Sequence, residues 1–312
     1  MLVICLVFMI LSSILMFSMN AFITFMMITF IFFSFMSPVA ALADSLAQKT
    51  ANQLGVTFGS IRMWGAVGFA LASLACGKIL TIIGISNIMY PFLFFAIISL
   101  FLGFFVQDVP LSSKPVTLFS ALHLLKNKQL LLFLTLITFI SLTHRTNDNF
   151  IGLHISHLGG DASLIGWAWF IAVITEAIVF ALSSLWFRRF NELTFIIIAG
   201  FFYVLRFIVI AQATDPIHVL YIQPLHGICF GLFYTAAFQY ITKIVPEELQ
   251  GTGHLLFVSV SFGVSGIVGS SIGGMIMEAT SGSALFAALA GSALLGSIGI
   301  ILCQKKLTSN SL

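Results

Sequence analysis

Apolar stretches recur along this chain from end to end, at about 1–17, 21–43, 60–83, 87–107, 130–154, 162–186, 193–212, 217–243, 252–277 and 282–303. Roughly 20 apolar residues make a helix long enough to cross the hydrocarbon core of a bilayer. Lipid offers the backbone no hydrogen bonds, so segments of this kind cross as helices that satisfy their own N–H and C=O groups. The pattern therefore predicts an all-α, polytopic helical membrane protein with about ten transmembrane helices. Only 7% of the residues are charged, where a soluble domain carries about 25%, so an aqueous fold is excluded. The first stretch, Leu2 to Phe17, has no positive n-region, and another apolar stretch follows almost at once. It reads as a span and not as a signal peptide.

The breaks between stretches carry turn chemistry and a charge asymmetry. Ser18 to Asn20 and Gly84 to Asn87 are tight turns, and Asp44 to Gly59 reads as a polar loop. The longest polar segment, 109–128, contains Pro110 and Pro115. Arg188 to Glu192, Asp215-Pro216, Pro246 to Glu248 and Thr280 to Gly282 mark the remaining breaks. One alternate set of segments holds Lys49, Arg62, Lys114, Lys126, Lys128, Arg188, Arg189, Lys243, Lys305 and Lys306; the other has no lysine or arginine, only Asp161, Asp215 and His218 with neutral polar residues. Cytoplasmic loops are enriched in lysine and arginine. Both termini are therefore expected in the cytoplasm, with the protein multi-pass in the cell membrane.

Several function classes drop out. A net charge of +3, with its basic residues in loops, argues against nucleic acid. Cys5, Cys76, Cys229 and Cys303 are scattered among apolar residues and suggest neither a metal site nor a disulfide framework. His154 and His157 have helical spacing, but two histidines do not make a metal site. The chain lacks H-E-x-x-H, P-loop, G-x-S-x-G and dinucleotide signatures. It is read as neither an enzyme nor a nucleotide-driven pump, with no cofactor.

Charges inside spans are then the informative residues, because at bilayer depth they cost several kcal/mol unless paired or hydrated. Glu176 lies mid-span; it serves either as half of a packing ion pair or as a proton- or substrate-binding carboxylate. Low dielectric favours its proton and a nearby cation favours the loss of that proton, so a carboxylate between the two can exchange one. Arg206 stays charged and needs a counter-charge, for which Glu176 is the expected partner unless Arg206 snorkels to an interface. His226 sits between Pro224 and Gly227, which loosen the helix, and a histidine titrates in the range useful for proton transfer. Gln223 precedes it by three.

The fifth span carries His144, Arg145, Asn147, Asp148 and Asn149. Arg145 and Asp148, three apart, share a helix face and are expected to pair, with the cluster lining a hydrated cavity. Asp44 and Arg62 form a cytoplasmic gate or are solvated loop charges. Lys78 snorkels or pairs. Small residues in the third span, Gly65 to Gly77, echo Gly263, Gly266, Gly269 and Gly273 in the ninth, six spans later. Close helix approach uses such spacing, and the interval fits two related halves.

The block Gly59-Ser60-Ile61-Arg62-Met63-Trp64-Gly65-Ala66-Val67-Gly68 resembles the fifth-helix signature of the lactose-permease-like branch of the major facilitator superfamily, with the 3-phenylpropionate permease-like group nearest. Glu176, Arg206 and the Gln223–His226 pair match that group's marks in its eighth, ninth and tenth helices, and Arg188-Arg189-Phe190 resembles its short basic turn. The resemblance implies the major facilitator fold, with the ten spans matching the family's third to twelfth helices and the first two lacking. The expected organisation is an N-terminal half at 1–108 with four of six helices, a central cytoplasmic loop at 109–128, and a six-helix C-terminal half at 129–312. It also implies a secondary transporter of a small-molecule substrate, a sugar, nucleoside or aromatic acid. The implied protein is a monomer in the lipid bilayer and works by alternating access, with a proton gradient as its energy source. One departure stands out: lactose permease has a carboxylate one turn after the tenth-helix histidine, and this chain has Cys229. That favours an uncoupled facilitator or exchanger as the alternative, and the shortened chain leaves a non-transporting membrane protein as another.

Overall fold

The computed structural model describes residues 2–55, 58–106, 124–182, 191–246 and 249–308, and every regular element among them is helical. The N-terminal group comprises α1 (Leu2–Ser18), α2 (Phe22–Leu54), α3 (Phe58–Ile83) and, after a short 3-10 turn, α4 (Met89–Gly103). From Lys128 onward come α5 (Lys128–His157), α6 (Ala162–Ala181), α7 (Glu192–Ala211), α8 (Pro216–Ile222), α9 (Pro224–Ile244), α10 (Gln250–Val258), α11 (Ser265–Ala279) and α12 (Gly282–Thr308). A π-helical turn, Ser259–Val264, joins α10 to α11 into one span. Among the described residues, eight helical segments are long and apolar enough to cross a membrane, and α8 with α9 forms a ninth, bent by 42°. With the 17-residue α1, each apolar stretch of the sequence corresponds to a helix.

One boundary differs from the sequence reading. The polar stretch expected as a loop from Asp44 continues α2 to Leu54. Its alanines, glutamines and lysine support a helix, and polarity does not stop one. The stop comes at Gly55, whose φ of 67° is left-handed, the conformation that ends many helices and that glycine adopts without strain. The central segment 109–128 lies mostly outside the described residues.

Polar residues at the breaks act as caps. Asn127, Asp161, Asn191 and Asp215 each accept hydrogen bonds from backbone N–H groups in the first turn of the following helix. Those donors have no partner within the helix. The two aspartates that stood out as loop charges thus define where α6 and α8 begin.

Helices α5, α6, α7, α9 and α12 pack around one continuous apolar core, with α9 lying between α6 and α7. In the N-terminal group, α1 packs on α2 and α4 around Leu6, Met9, Phe32 and Ala96. The link between the two groups is α3 against α6. Their backbones approach so closely that a Cβ on Gly166 would lie 2.6 Å from the Ser73 carbonyl oxygen, and one on Gly77 would lie 2.8 Å from that of Ala162. Ser73 Oγ donates to the Gly166 carbonyl at 3.3 Å across the seam. By contrast, Gly269 and Gly273 of α11 pack on Thr146 and Phe150 of α5, while Gly263 of the π-helical turn and Gly266 of α11 face open space. Both glycine-rich helices therefore use small residues for close packing, as in membrane helix pairs generally.

Candidate functional site

The site is organised by the break between α8 and α9. Pro224 has no N–H, so the helix cannot continue its ladder through this point. The span bends by 42°, and Gln223, at the corner, is turned inward and buried. His226 follows one turn later on α9, also buried.

Arg206 meets this corner from α7. It is the largest of the fully buried side chains, 1% exposed. Its Nη2 donates to Gln223 Oε1 at 2.9 Å and to Asn147 Oδ1 of α5 at 3.1 Å. The guanidinium's hydrogen bonds go to these two amides, its Nε and Nη1 have no hydrogen-bond partner, and the pairing with Glu176 expected from the sequence is not among these bonds. The reason is helix order. Because α9 stands between α6 and α7, residues on those two helices face different neighbours. The arginine does not snorkel either, since its donors turn into the bundle.

A second layer sits beside the first. Tyr203, one turn before Arg206, places its hydroxyl 3.0 Å from His144 Nδ1. The His144 ring stacks on Phe230 at 4.3 Å between centroids and lies 5.1 Å from the His226 ring. Asp148 accepts from Arg145 Nη1 at 2.8 Å, the i, i+3 pair expected from the sequence, and His144 Nε2 approaches the same carboxylate oxygen at 3.5 Å. Arg145 also lies over the Phe262 ring of the π-helical turn, 5.0 Å from its centroid. Turns of this type occur often at functional sites.

The sequence-derived residues are only partly brought together. Arg206, His226, Gln223, Asn147, His144 and Asp148 form one network across α5, α7 and the α8–α9 corner. Asn149 points elsewhere, donating to Ser270 Oγ of α11 at 2.7 Å; two positions from Asn147 on a helix is a different face. Glu176 is half-buried on α6, where it continues the stripe of Trp169 and Ala172. Its backbone nitrogen would be struck by any Cβ on Gly227, so Gly227 serves close packing of α9 on α6. The side chains of Asp44 and Arg62, the expected gate, lie outside the described residues.

Between α5, α6 and the α8–α9 corner lies a crevice lined by Asn147, Ile151, Ala168, Trp169, Ala172, Gln223 and His226. In this conformation it is too narrow to hold a water molecule. Four of its seven lining residues are apolar, and its polar residues are those of the Arg206 network.

A buried polar network in a bundle of apolar spans is characteristic of proteins that pass solutes, and the sequence relationships agree. The model of the MFS_1 like family matches residues 1–288. The chain belongs to the MFS_1 like family. It is 27% identical over 286 residues to a maltose permease of Geobacillus stearothermophilus, covering 90% of this chain and 72% of that protein. It is also 27% identical over 235 residues to a probable 3-phenylpropionic acid transporter of Escherichia coli, covering 74% of this chain and 62% of that protein. The crystal structure of the nucleoside transporter NupG in its D323A form superposes with a TM-score of 0.82 at 16% identity, covering 96% of this chain and 82% of that one. The fold is that of the major facilitator superfamily.

Sequence reasoning passed over Tyr203, Phe230 and Trp169 in this MFS_1 like chain. The signal was present, since Tyr203 precedes Arg206 by three and Phe230 follows His226 by four, spacings that share a helix face. It also missed that His144, Asp148 and His226 bring ligand atoms within 4.8 Å of one another. Electrostatics disfavours a divalent cation there. At roughly 6 Å and an effective dielectric of about 20, a dication and a guanidinium repel by about 5 kcal/mol. Arg145 and Arg206 both flank the group, and Asp148, its one anion, already holds Arg145.

Proposed function

We propose that this chain is a secondary transporter that moves a small organic solute through the membrane by alternating access, with proton coupling through Glu176 and His226. The single observation that carries the reading is the buried Arg206–Gln223–Asn147 network at the α8–α9 corner. A fully buried guanidinium inside a membrane bundle is costly, and a packing role alone would be met by apolar side chains. The relatives named above, with a maltose permease and a probable 3-phenylpropionic acid transporter among them, support a sugar, nucleoside or aromatic acid as the solute class. Alternating access, in which the two groups of helices rock about the site, fits a crevice that is closed in this conformation. Glu176, on the same stripe as Trp169 and Ala172, is the carboxylate to which this reading assigns proton exchange.

One observation favours a second reading. Cys229, one turn after His226, is fully buried and offers no carboxylate, which suits a facilitator or exchanger without proton coupling. The two readings separate in proteoliposomes loaded at one pH and diluted into another. Under coupling, labelled solute accumulates only with an inward proton gradient and a protonophore abolishes accumulation. Glu176→Gln then removes accumulation and retains exchange. Accumulation indifferent to the protonophore rejects coupling, and absence of both uptake and exchange rejects transport.

A further inference from the structure

Lysines from distant parts of the chain meet at one corner of the bundle. Gln129, in the first turn of α5, is buried, and its Nε2 donates to the Leu307 carbonyl in the last turn of α12. The Tyr240 hydroxyl of α9 donates to the same carbonyl at 2.7 Å and accepts from Gln129 Nε2 at 3.2 Å. The clamp satisfies a carbonyl that the end of a helix leaves without an intrahelical donor, and it holds the start of α5 against the end of α12. Lys126 and Lys128 stand just before Gln129, and Lys305 just before Leu307; all three are exposed. Lys306 adds a further cation in the same last turn of α12.

These lysines end helix faces that are apolar further along. On α12, Leu294, Ile298, Ile301 and Lys305 recur at steps of four, three and four, one face of a helix, and all are exposed. On α5, Leu131 and Thr135 follow Lys128 at three and seven on one face and are exposed too. The two helices meet closely between these stripes. A Cβ on Gly296 would lie 2.8 Å from the Ile140 side chain, and one on Gly299 2.6 Å from that of Leu136. An apolar stripe exposed on a membrane helix faces acyl chains, so the lysines that end it lie at headgroup level. Like charges gathered at one corner repel, which favours a counter-anion. Glu192, an acid on α7, is held by Lys243 at 3.3 Å.

We propose that the corner formed by the start of α5 and the end of α12 binds an anionic glycerophospholipid, with its phosphate among Lys126, Lys128 and Lys305 and its acyl chains along the α5–α12 seam. A phosphodiester supplies the charge, and the chains match the apolar stripes. The site is on the outer surface, apart from the crevice, and it stands whether or not the chain transports a solute. Basic clusters of this kind, at the ends of membrane helices, recognise anionic headgroups through point charges.

The test uses the full chain in detergent, with dioleoyl-phosphatidylglycerol or dioleoyl-phosphatidylcholine added and bound lipid counted by native mass spectrometry. Each lysine near an anionic headgroup is worth about fivefold in affinity, about 1 kcal/mol. Phosphatidylglycerol is therefore expected to bind at least tenfold more tightly than phosphatidylcholine at low salt, and the preference should shrink as salt rises. The triple variant Lys126→Gln, Lys128→Gln, Lys305→Gln is expected to lose the preference. Its unfolding temperature in phosphatidylcholine should match that of the unaltered chain, since the three side chains are exposed, which separates lost binding from lost fold. Lys243→Gln, which removes a lysine already paired with Glu192, is expected to keep the preference. Glycerol 3-phosphate, the same phosphate without acyl chains, is expected not to compete at millimolar concentration. Equal binding of the two lipids by the unaltered chain overturns the inference, as does a preference that survives in the triple variant. An equal loss in Lys243→Gln overturns it in favour of diffuse charge, and competition by glycerol 3-phosphate in favour of a soluble phosphate.

Discussion

The two groups of helices in this chain are equally apolar but are built differently. From Lys128 onward, large side chains such as Phe133, Ile137, Ile196, Phe207 and Phe286 are completely buried, and the same helices enclose the polar network. In the first four helices the buried cluster is small, and aromatic residues such as Phe22, Phe30, Tyr90 and Phe94 lie largely exposed. In water that exposure would be a large penalty. In lipid it costs little, because acyl chains solvate phenylalanine about as well as a neighbouring helix does. Association is driven by close packing and hydrogen bonds. The contrast teaches that stability in this molecule is concentrated where backbones approach closely or polar groups meet, and that hydropathy does not locate those places.

The sharpest way to break this comparison is at two glycines, one from each group of helices. A Cβ on Gly227 would strike the Glu176 backbone nitrogen and lie 2.5 Å from the Thr175 carbonyl carbon, whereas one on Gly68 of α3 meets nothing within 4 Å. Neither α6 nor α9 can yield at backbone atoms without separating. Gly227→Val is expected to destabilise by at least about 3 kcal/mol, and Gly68→Val by less than about 0.5 kcal/mol. Thermal unfolding in detergent, followed by loss of the monodisperse species, measures both. Similar values for the two would mean that the α6–α9 approach is not a tight one.

A second pair sharpens the contrast in the apolar cores. Phe133 is fully buried against Tyr240, with ring centroids 4.3 Å apart, and Phe94 is 61% exposed. Truncation of either removes roughly 100 Å³ of side chain. At about 24 cal/mol per Å³, a cavity left unfilled costs about 2.4 kcal/mol. Phe133→Ala is expected to lose about that much, since lipid cannot enter the core. Phe94→Ala leaves a gap that acyl chains fill, so its loss should stay below about 0.5 kcal/mol under the same assay. A loss of 2 kcal/mol at Phe94 would place that face in a protein contact.

How much of this was legible in the sequence follows from the same physics. The spans were legible, because a bilayer demands apolar length and each stretch satisfies it alone. The caps at Asp161 and Asp215 were half legible: the residues stood out as breaks, and their capping role needed the following helix. The Arg145–Asp148 pair was readable from spacing three, since one helix fixes both partners. The partner of Arg206 was not, because it depends on which helices are neighbours, and hydropathy carries no information on neighbours. Glu176 was the natural guess for a lone charge seeking an opposite one. The bundle instead places α9 between them and gives Arg206 two amides. The left-handed Gly55 that ends α2 shows the same limit, as polar residues suggested a loop eleven positions earlier than the backbone stops.

The smallest expected effect concerns a contact that looks similar on paper to the buried network. Lys243 Nζ, at the end of α9, lies 3.3 Å from Glu192 Oε2 at the start of α7, joining two helices that also meet through Gln223 and Arg206. Its lysine side chain is 63% exposed, so water screens the pair and the flexible chain loses entropy in forming it. Glu192 also lies in the first turn of α7, where the helix dipole stabilises it whether or not lysine is present. Lys243→Gln is therefore expected to change stability by no more than about 0.5 kcal/mol, and the difference should vanish as salt rises toward 1 M, where the screening length falls to about 3 Å. A larger loss that persists in high salt would show that the α7–α9 contact is held at this end, and would shift the weight of the comparison away from the buried network.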